Sequence, residues 1–388
     1  MIPIRYNLRS LAVRKRTTAA TVLGIALVVF VLASSLMLAA GVRDTLGRGG
    51  REDVGFVVRK GSENELSSIV PTTKVPLVLA APGVRNGPAG PIGGGEVVSI
   101  IMVEKLGADG GESNVQLRGL LLDQLLARGA TIVEGRAPAP GTEEVAVGAA
   151  IAGRFRGLAV GGTVSARKGH PWPIVGVFEA NGSGYESEVW ADLDVVRQML
   201  GRRTTLSSIR VQLESADAFA AFEKAVEEDP RIGLDAMTEK EYWLKASQML
   251  ALFVTVLGSV ITFFFSLGAM IGAMITMYAA VANRSREVGV LRAMGFSRSS
   301  VLISFLLESA LVALLGGLLG SLGALAMGAV RFSVLNFATF SEIVFRFTPT
   351  LGIVIGALIA AVVMGLLGGF FPAWRAARLP VVDAIRGE

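Results

Sequence analysis

The chain has 388 residues, 52% hydrophobic and 18% charged, with 47 glycines and a net charge of +5. That balance is too apolar for a soluble globule and too charged for a protein lying wholly in a bilayer, so a membrane protein with a folded polar part is expected. The absence of cysteine excludes disulfides and thiol catalysis, and a lone histidine, His170, argues against a histidine metal site or a catalytic triad.

Residues 1–16 carry Arg5, Arg9, Arg14, Lys15 and Arg16 between apolar side chains, the pattern of a short amphipathic helix on a membrane surface. Residues 17–40 then contain no charge, and 17–41 are read as a first membrane helix. A signal peptide is the rival reading, but its apolar core spans only about 7–15 residues, so an uncleaved helix is favoured. Residues 42–245 form a large polar insertion of α+β character. Short β-like runs begin at Phe56, Val97, Val115, Val145, Ile174, Val189 and Ile209, with glycine and proline clusters between them. The stretch 82–95 is expected to be an exposed loop. Two helices are expected in the insertion, one over 192–200 with Asp192 or Asp194 as cap, one over 216–228 with Phe219, Phe222 and Val226 on one face.

Residues 249–280 exceed one bilayer crossing, so this second helix is expected to protrude or tilt. A basic segment, 281–300, separates it from a third apolar run, 301–330. It carries Arg284, Arg286, Arg292 and Arg298 against the single acid Glu287. As a helix it sets Val288 with Leu291, and Val290 with Met294 on a second ridge. An ordinary juxtamembrane helix needs one apolar stripe; two ridges indicate contact on two sides. Gly295 can stop this helix, and Ser297 or Ser299 can cap the next. Residues 331–350 read as a short loop on the outer side, 351–374 as a fourth membrane helix and 375–388 as a tail with Arg375, Arg378 and Arg386.

The fold class is therefore a membrane protein of four transmembrane α-helices with a large α+β domain inserted between the first two. The insertion holds 23 basic and 27 acidic residues, which leaves 14 basic and 5 acidic elsewhere. Twelve of those fourteen lie in 1–16, 281–300 and 375–388. The positive-inside tendency puts these segments and both termini in the cytoplasm and the insertion outside, and the basic pI reports orientation rather than a nucleic-acid footprint. Small-residue spacings at Gly268/Gly272 and Gly316/Gly320 are read as helix-packing or dimer contacts. Glu308, two turns into the third helix, is either a functional intramembrane charge or the partner of a loop arginine such as Arg292 or Arg298. Paired acids at Glu143/Glu144 and Asp192/Asp194 read as solvated surface, so no catalytic site and no metal site is expected on this chain.

Several segments together resemble the permease subunits of the MacB/LolC/FtsX, or mechanotransmission (type VII), group of ABC transporters. They are Ser285-Arg-Glu-Val-Gly-Val-Leu-Arg-Ala-Met-Gly-Phe-Ser-Arg298, Phe305-Leu-Leu-Glu-Ser309, the tail from Phe371 to Arg386, and in the insertion Glu134-Gly-Arg136, Glu144-Val-Ala-Val-Gly148 and Val175-Gly-Val-Phe178. The match is weakest over 60–130. The resemblance implies a MacB-like periplasmic domain, a bacterial inner-membrane location and a coupling helix over 284–298, in which Arg284, Arg286, Glu287, Val288, Val290, Leu291, Arg292 and Met294 meet an ATPase. The chain carries no Gly-x-x-x-x-Gly-Lys-Ser/Thr phosphate loop, so ATP and Mg are expected on a partner. The implied assembly is two ATPase copies and a second permease, identical or paralogous, among membrane lipids, with a periplasmic adaptor or outer-membrane component as a further option. The implied task is export or extraction of a lipid, lipoprotein, hydrophobic molecule or peptide. The alternatives are activation of a periplasmic cell-wall hydrolase by the same motion, and a membrane-anchored sensor without an ATPase.

Overall fold

In the computed structural model the described residues are 14–380, apart from 89, 107–110, 125–128, 168 and 337–340. The expected surface helix over 1–16 lies almost entirely outside them, as does the end of the tail. The chain divides into two compact units. One comprises residues 1–40, 252–330 and 347–388; the other comprises 41–251 and 331–346.

The larger unit is built on a ten-stranded sheet. Its strands in chain order are β1 (Val54–Arg59), β2 (Gly93–Glu104), β3 (Glu112–Leu120), β4 (Thr131–Gly135), β5 (Val145–Gly148), β6 (Thr163–Arg167), β7 (His170–Glu179), β8 (Glu188–Asp192), β9 (Ser208–Gln212) and β10 (Leu234–Thr238). The spatial order is β10-β1-β9-β2-β3-β8-β5-β7-β4, with β6 paired to β7. Most pairs are antiparallel; β3–β8 and β5–β7 are parallel. The central strands are buried along nearly their whole length, which explains runs of consecutive apolar residues rather than alternation. The two expected helices form as α3 (Leu193–Met199) and α4 (Phe219–Glu228), after a short α2 (Val75–Leu79). Asp192 is the cap of α3, its carboxylate accepting from the N–H groups of Asp194 and Val195. Phe222 and Val226 of α4 are fully buried, each worth about 1.5–3 kcal/mol.

Two expectations are corrected here. The stretch 82–95 does not end as a loop: Gly93, Gly94 and Gly95 open β2 and are buried, because Val211, Leu121 and Leu206 occupy the space where a Cβ would stand. Residues 331–350 are not a plain loop either. They hold a hairpin, β11 (Arg331–Asn336) and β12 (Ser341–Arg346), which belongs to the larger unit. The Val344 N–H donates to Ser187 Oγ at 3.0 Å, and Lys105 Nζ meets Glu342 at 2.5 Å.

The polar heart of this unit is Arg118 on β3, 1% exposed. Its guanidinium donates to Glu65 (2.7 and 2.8 Å), Glu96 (2.7 Å) and Glu188 (2.7 and 2.9 Å). Trp190 Nε1 and Gln116 Nε2 also donate to Glu188, and Ser208 Oγ to Glu65. Burial alone would lower the Arg118 pKa; Glu188 and Glu65 outweigh it, so the guanidinium stays charged. A second buried pair, Arg210 Nε to Glu239 Oε1 at 2.7 Å, is extended by Tyr185, whose hydroxyl donates to Glu239 at 2.7 Å. Tyr242 and Trp243 pack beside it on Phe56 and Tyr185. Glu239 is the first residue of a 45-residue helix, so these contacts seat the start of that helix in the sheet domain.

Arg118→Met would leave three buried carboxylates without their cation, and removing one partner of a buried ionic set costs about 3–5 kcal/mol. The expected result is a lower thermal midpoint for the purified chain with a red-shifted tryptophan emission, Trp190 being tied to the same cluster. An unchanged midpoint would show that the cluster contributes nothing to stability.

Candidate functional site

Four helices carry the smaller unit: α1 (Lys15–Gly47), α5 (Glu239–Asn283), α7 (Arg298–Ala326) and α8 (Leu351–Arg378). Each is long and apolar enough to cross a membrane. The short α6 (Ser285–Ala293) lies between α5 and α7. The α5 helix breaks at Arg284, whose φ of −119° and ψ of 14° are non-helical. Gly295, at φ +94°, ends α6 in a conformation that glycine alone adopts freely. The Phe296 N–H donates to Leu291 O, and Arg292 Nη1 donates to Phe296 O. Ser297 then caps α7, accepting from the Ser300 N–H at 3.2 Å.

This fold gives α6 two different faces. Val288, 3% exposed, packs in a cluster with Met277, Val281, Val301, Phe305 and Ala373. Arg286, Glu287, Val290 and Met294 face outward; Val290 and Met294 are 45% and 64% exposed. Leu291 and Arg292 lie between, half-buried.

Behind α6 sits the ionic cluster. Glu308 of α7 is 2% exposed. It accepts from Arg284 Nη1 at 2.9 Å and from Arg14 Nη2 at 2.5 Å. Arg284 Nε also reaches Glu287 at 3.2 Å, and its guanidinium lies 5.3 Å from the Phe305 ring centroid. Among the described residues the two guanidinium groups offset the charge of Glu308, which makes its burial tolerable. The cluster joins the start of α1, the α5–α6 break and α7.

The expected partners of Glu308, Arg292 and Arg298, are not the ones it has. Arg292 is turned to the carbonyl of Phe296, and Arg298 opens α7 ten residues before Glu308, about 15 Å along the helix. The partner that sequence reading missed is Arg14. Its signal was available: a basic residue just outside an uncharged run, at a depth matching a carboxylate just inside another. The Arg118 cluster was missed as well; its signal is a charge inside an apolar β-run.

The small-residue spacings divide. Gly316 and Gly320 lie against α1, where a Cβ on Gly316 would stand 2.8 Å from Val22 O and one on Gly320 would stand 2.9 Å from Val29 Cβ. Among the described residues, a Cβ at Gly268 or Gly272 would meet nothing within 4 Å.

Four membrane-length helices, with an α+β domain inserted between the first two, define a multi-pass membrane protein. The model of the FtsX-like permease C-terminal family matches residues 259–381, and that of the MacB-like periplasmic core domain matches 18–229. The chain belongs to the MacB/FtsX-like family. It is 31% identical over 233 residues to the macrolide export ATP-binding/permease protein MacB of Pasteurella multocida, covering 56% of this chain and 34% of that protein. It is 40% identical over 118 residues to the pyoverdine export ATP-binding/permease protein PvdT of Pseudomonas syringae, covering 30% and 17%. The chain thus spans about a third or less of the length of the curated relatives it matches. The solved periplasmic region of MacB from Actinobacillus actinomycetemcomitans aligns at a TM-score of 0.38 and 12% identity, covering 50% of this chain and 92% of that one.

Glu308→Leu removes the carboxylate that Arg14 and Arg284 share and should lower the thermal midpoint of the detergent-solubilised chain. Arg284→Met alone should do the same, while the double variant should cost less than the sum, because the Arg284–Glu308 pair is then removed whole rather than broken. Additive losses would show that the two groups do not interact.

Proposed function

We propose that this chain is the transmembrane subunit of an ATP-driven exporter, coupled through α6 to an ATPase borne by a partner polypeptide. The observation that carries this reading is the outward apolar ridge of Val290 and Met294 on a helix whose other side, at Val288, is rooted in the bundle. A solvated loop has no use for an exposed valine and methionine flanked by Arg286; a docking helix does. The relatives' names add that such permeases occur with ATP-binding segments and in export.

In this reading α6, both termini and the basic segments are cytoplasmic, and the sheet domain is periplasmic. ATP and Mg stay on the partner, in two copies against two permease chains, and this chain carries no chemistry of its own. ATP-driven closure presses on α6. Motion then enters α5 covalently and α1 through Glu308, and both helices continue into residues of the sheet domain. The cargo is a hydrophobic, lipidic or peptide-like molecule handled on the outer side.

Val290→Asp with Met294→Asp should reduce permease-stimulated ATP hydrolysis in the reconstituted complex by roughly tenfold or more, the loss of a single interface hot spot, while Met294→Leu should retain it. Unchanged stimulation in the double variant would reject docking through this ridge. Orientation is read separately. The chain has no cysteine, so a maleimide that cannot cross the inner membrane should label exposed Asp217→Cys in spheroplasts. It should label Arg286→Cys only after membrane disruption; the reverse pattern would invert the topology.

A further inference from the structure

The last turns of α8 present a face that the coupling reading leaves unused. A ridge of exposed apolar side chains runs along this helix at four-residue steps, through Ile359, Val363 and Leu367 to Phe371. The next step is Arg375. Trp374 and Arg378 stand beside the end of the ridge, while Pro372, Ala373, Ala376 and Ala377 are buried on the opposite side. The face therefore turns from apolar to cationic between Phe371 and Arg378, about 10 Å of helix. That distance takes a membrane helix from the acyl region through the headgroup layer of one leaflet.

Both guanidinium groups lie over aromatic rings. Arg378 is 4.1 Å from the Trp374 ring centroid, and Arg375 is 5.9 Å from that of Tyr278 on α5. Such a contact uses the flat of the guanidinium and leaves its N–H edge for an oxyanion. Both arginines are exposed, and neither has a carboxylate in ion-pair distance among the described residues. A helix C-terminus favours cations, which accounts for the charge but not for the aromatic platforms beneath it. Phosphate oxygens fit the free edges, accepting two N–H bonds at once.

We infer that this end of α8 holds an anionic phospholipid of the bilayer, its phosphate at Arg375 and Arg378 and its acyl chains on Phe371 and Trp374. A free phosphate would have no use for the apolar half of the face. The ATPase partner is the competing occupant, but the ridge is continuous with residues in the middle of the membrane helix. Basic side chains at a membrane surface favour anionic lipids. The orientation proposed above makes the leaflet the inner one; the site itself does not depend on it.

Trp374 supplies the reporter, because Trp172, Trp190 and Trp243 are buried in the sheet domain. The full chain is reconstituted in mixed vesicles of phosphatidylglycerol and phosphatidylcholine, with one or the other brominated on its acyl chains. The emission lost in Trp374→Phe defines the signal. At equal mole fraction, brominated phosphatidylglycerol should quench it with an apparent affinity roughly fivefold higher or more, the worth of one basic side chain at such a surface. Arg375→Gln with Arg378→Gln should erase the difference, and raised salt should shrink it in the wild type, where folding is not in question. Equal quenching by the two lipids in the wild type would overturn the inference, as would a difference that survives the double variant or ignores salt. A Trp374 that neither lipid quenches would overturn it by placing this face against protein.

Discussion

A carboxylate inside an apolar bundle is tolerable only where cations meet it, and among the described residues Arg14 and Arg284 both meet Glu308. That requirement sets the register of three elements. One residue's shift of α7 would move the carboxylate 1.5 Å along and about 100° around the axis, away from both guanidinium groups. The same register brings Gly316 and Gly320 onto α1 and Gly365 and Gly369 onto Ala313 and Ser309. Close packing in a membrane has no hydrophobic drive to align it. The ion cluster provides alignment, and the glycines let the backbones approach once aligned. It also explains where α5 ends: Arg284 leaves helical geometry at the point where its side chain must serve Glu308 and Glu287.

The sheet domain solves a related problem with different geometry. Arg118 is surrounded by three glutamates on separate strands and loops, an arrangement that is costly to desolvate and poorly explained as a source of stability. It does specify pairing. Glu188 on β8 and Arg118 on β3 are also cross-strand partners two residues apart in a parallel register, so a slipped strand would bury unpaired charge. Glu342, on β12, is held below the usual carboxylate range: burial pushes it up, but Lys105, Ser113 and Ser333 outweigh that. Since the lowered pKa belongs to the folded state, this seat is stabilised above the ordinary glutamate range and weakens as pH falls through the lowered value.

Much of this was legible in the sequence because it rests on local periodicity. The four membrane helices, the stop at Gly295 and the caps at Asp192 and Ser297 follow from composition and turn chemistry. What was not legible depends on residues distant in sequence. Arg14 and Glu308 are separated by the whole sheet domain, so the depth of each charge in its own apolar run is the one local sign of the pair, and it does not say which run faces which. The hairpin of β11 and β12 read as a loop because its strands are short, and its burial comes from a domain encoded some 150 residues earlier. Gly93–Gly95 read as loop residues because a glycine run is ambiguous: it serves a flexible turn or a strand crowded by neighbours, and only the neighbours decide.

The same ambiguity runs through the glycine pairs of the membrane helices. Gly316/Gly320 and Gly268/Gly272 have one spacing and two outcomes, contact and void. The difference lies in what faces them. Opposite Gly316 and Gly320, α1 presents the bulky β-branched Ile25 and Val29, which need the room. The groove at Gly268 and Gly272 is lined across α1 by Ala20 and Gly24, so two small surfaces face each other and leave space. In this bundle α7 is therefore packed against α1 by shape, while α5 is held to α1 at Ser35–Gly258 and at the Thr21–Thr276 hydroxyl bridge. The helix that continues directly into the α6 break is packed on α8 as well, where Gly368 lies against Met270 and Ala273.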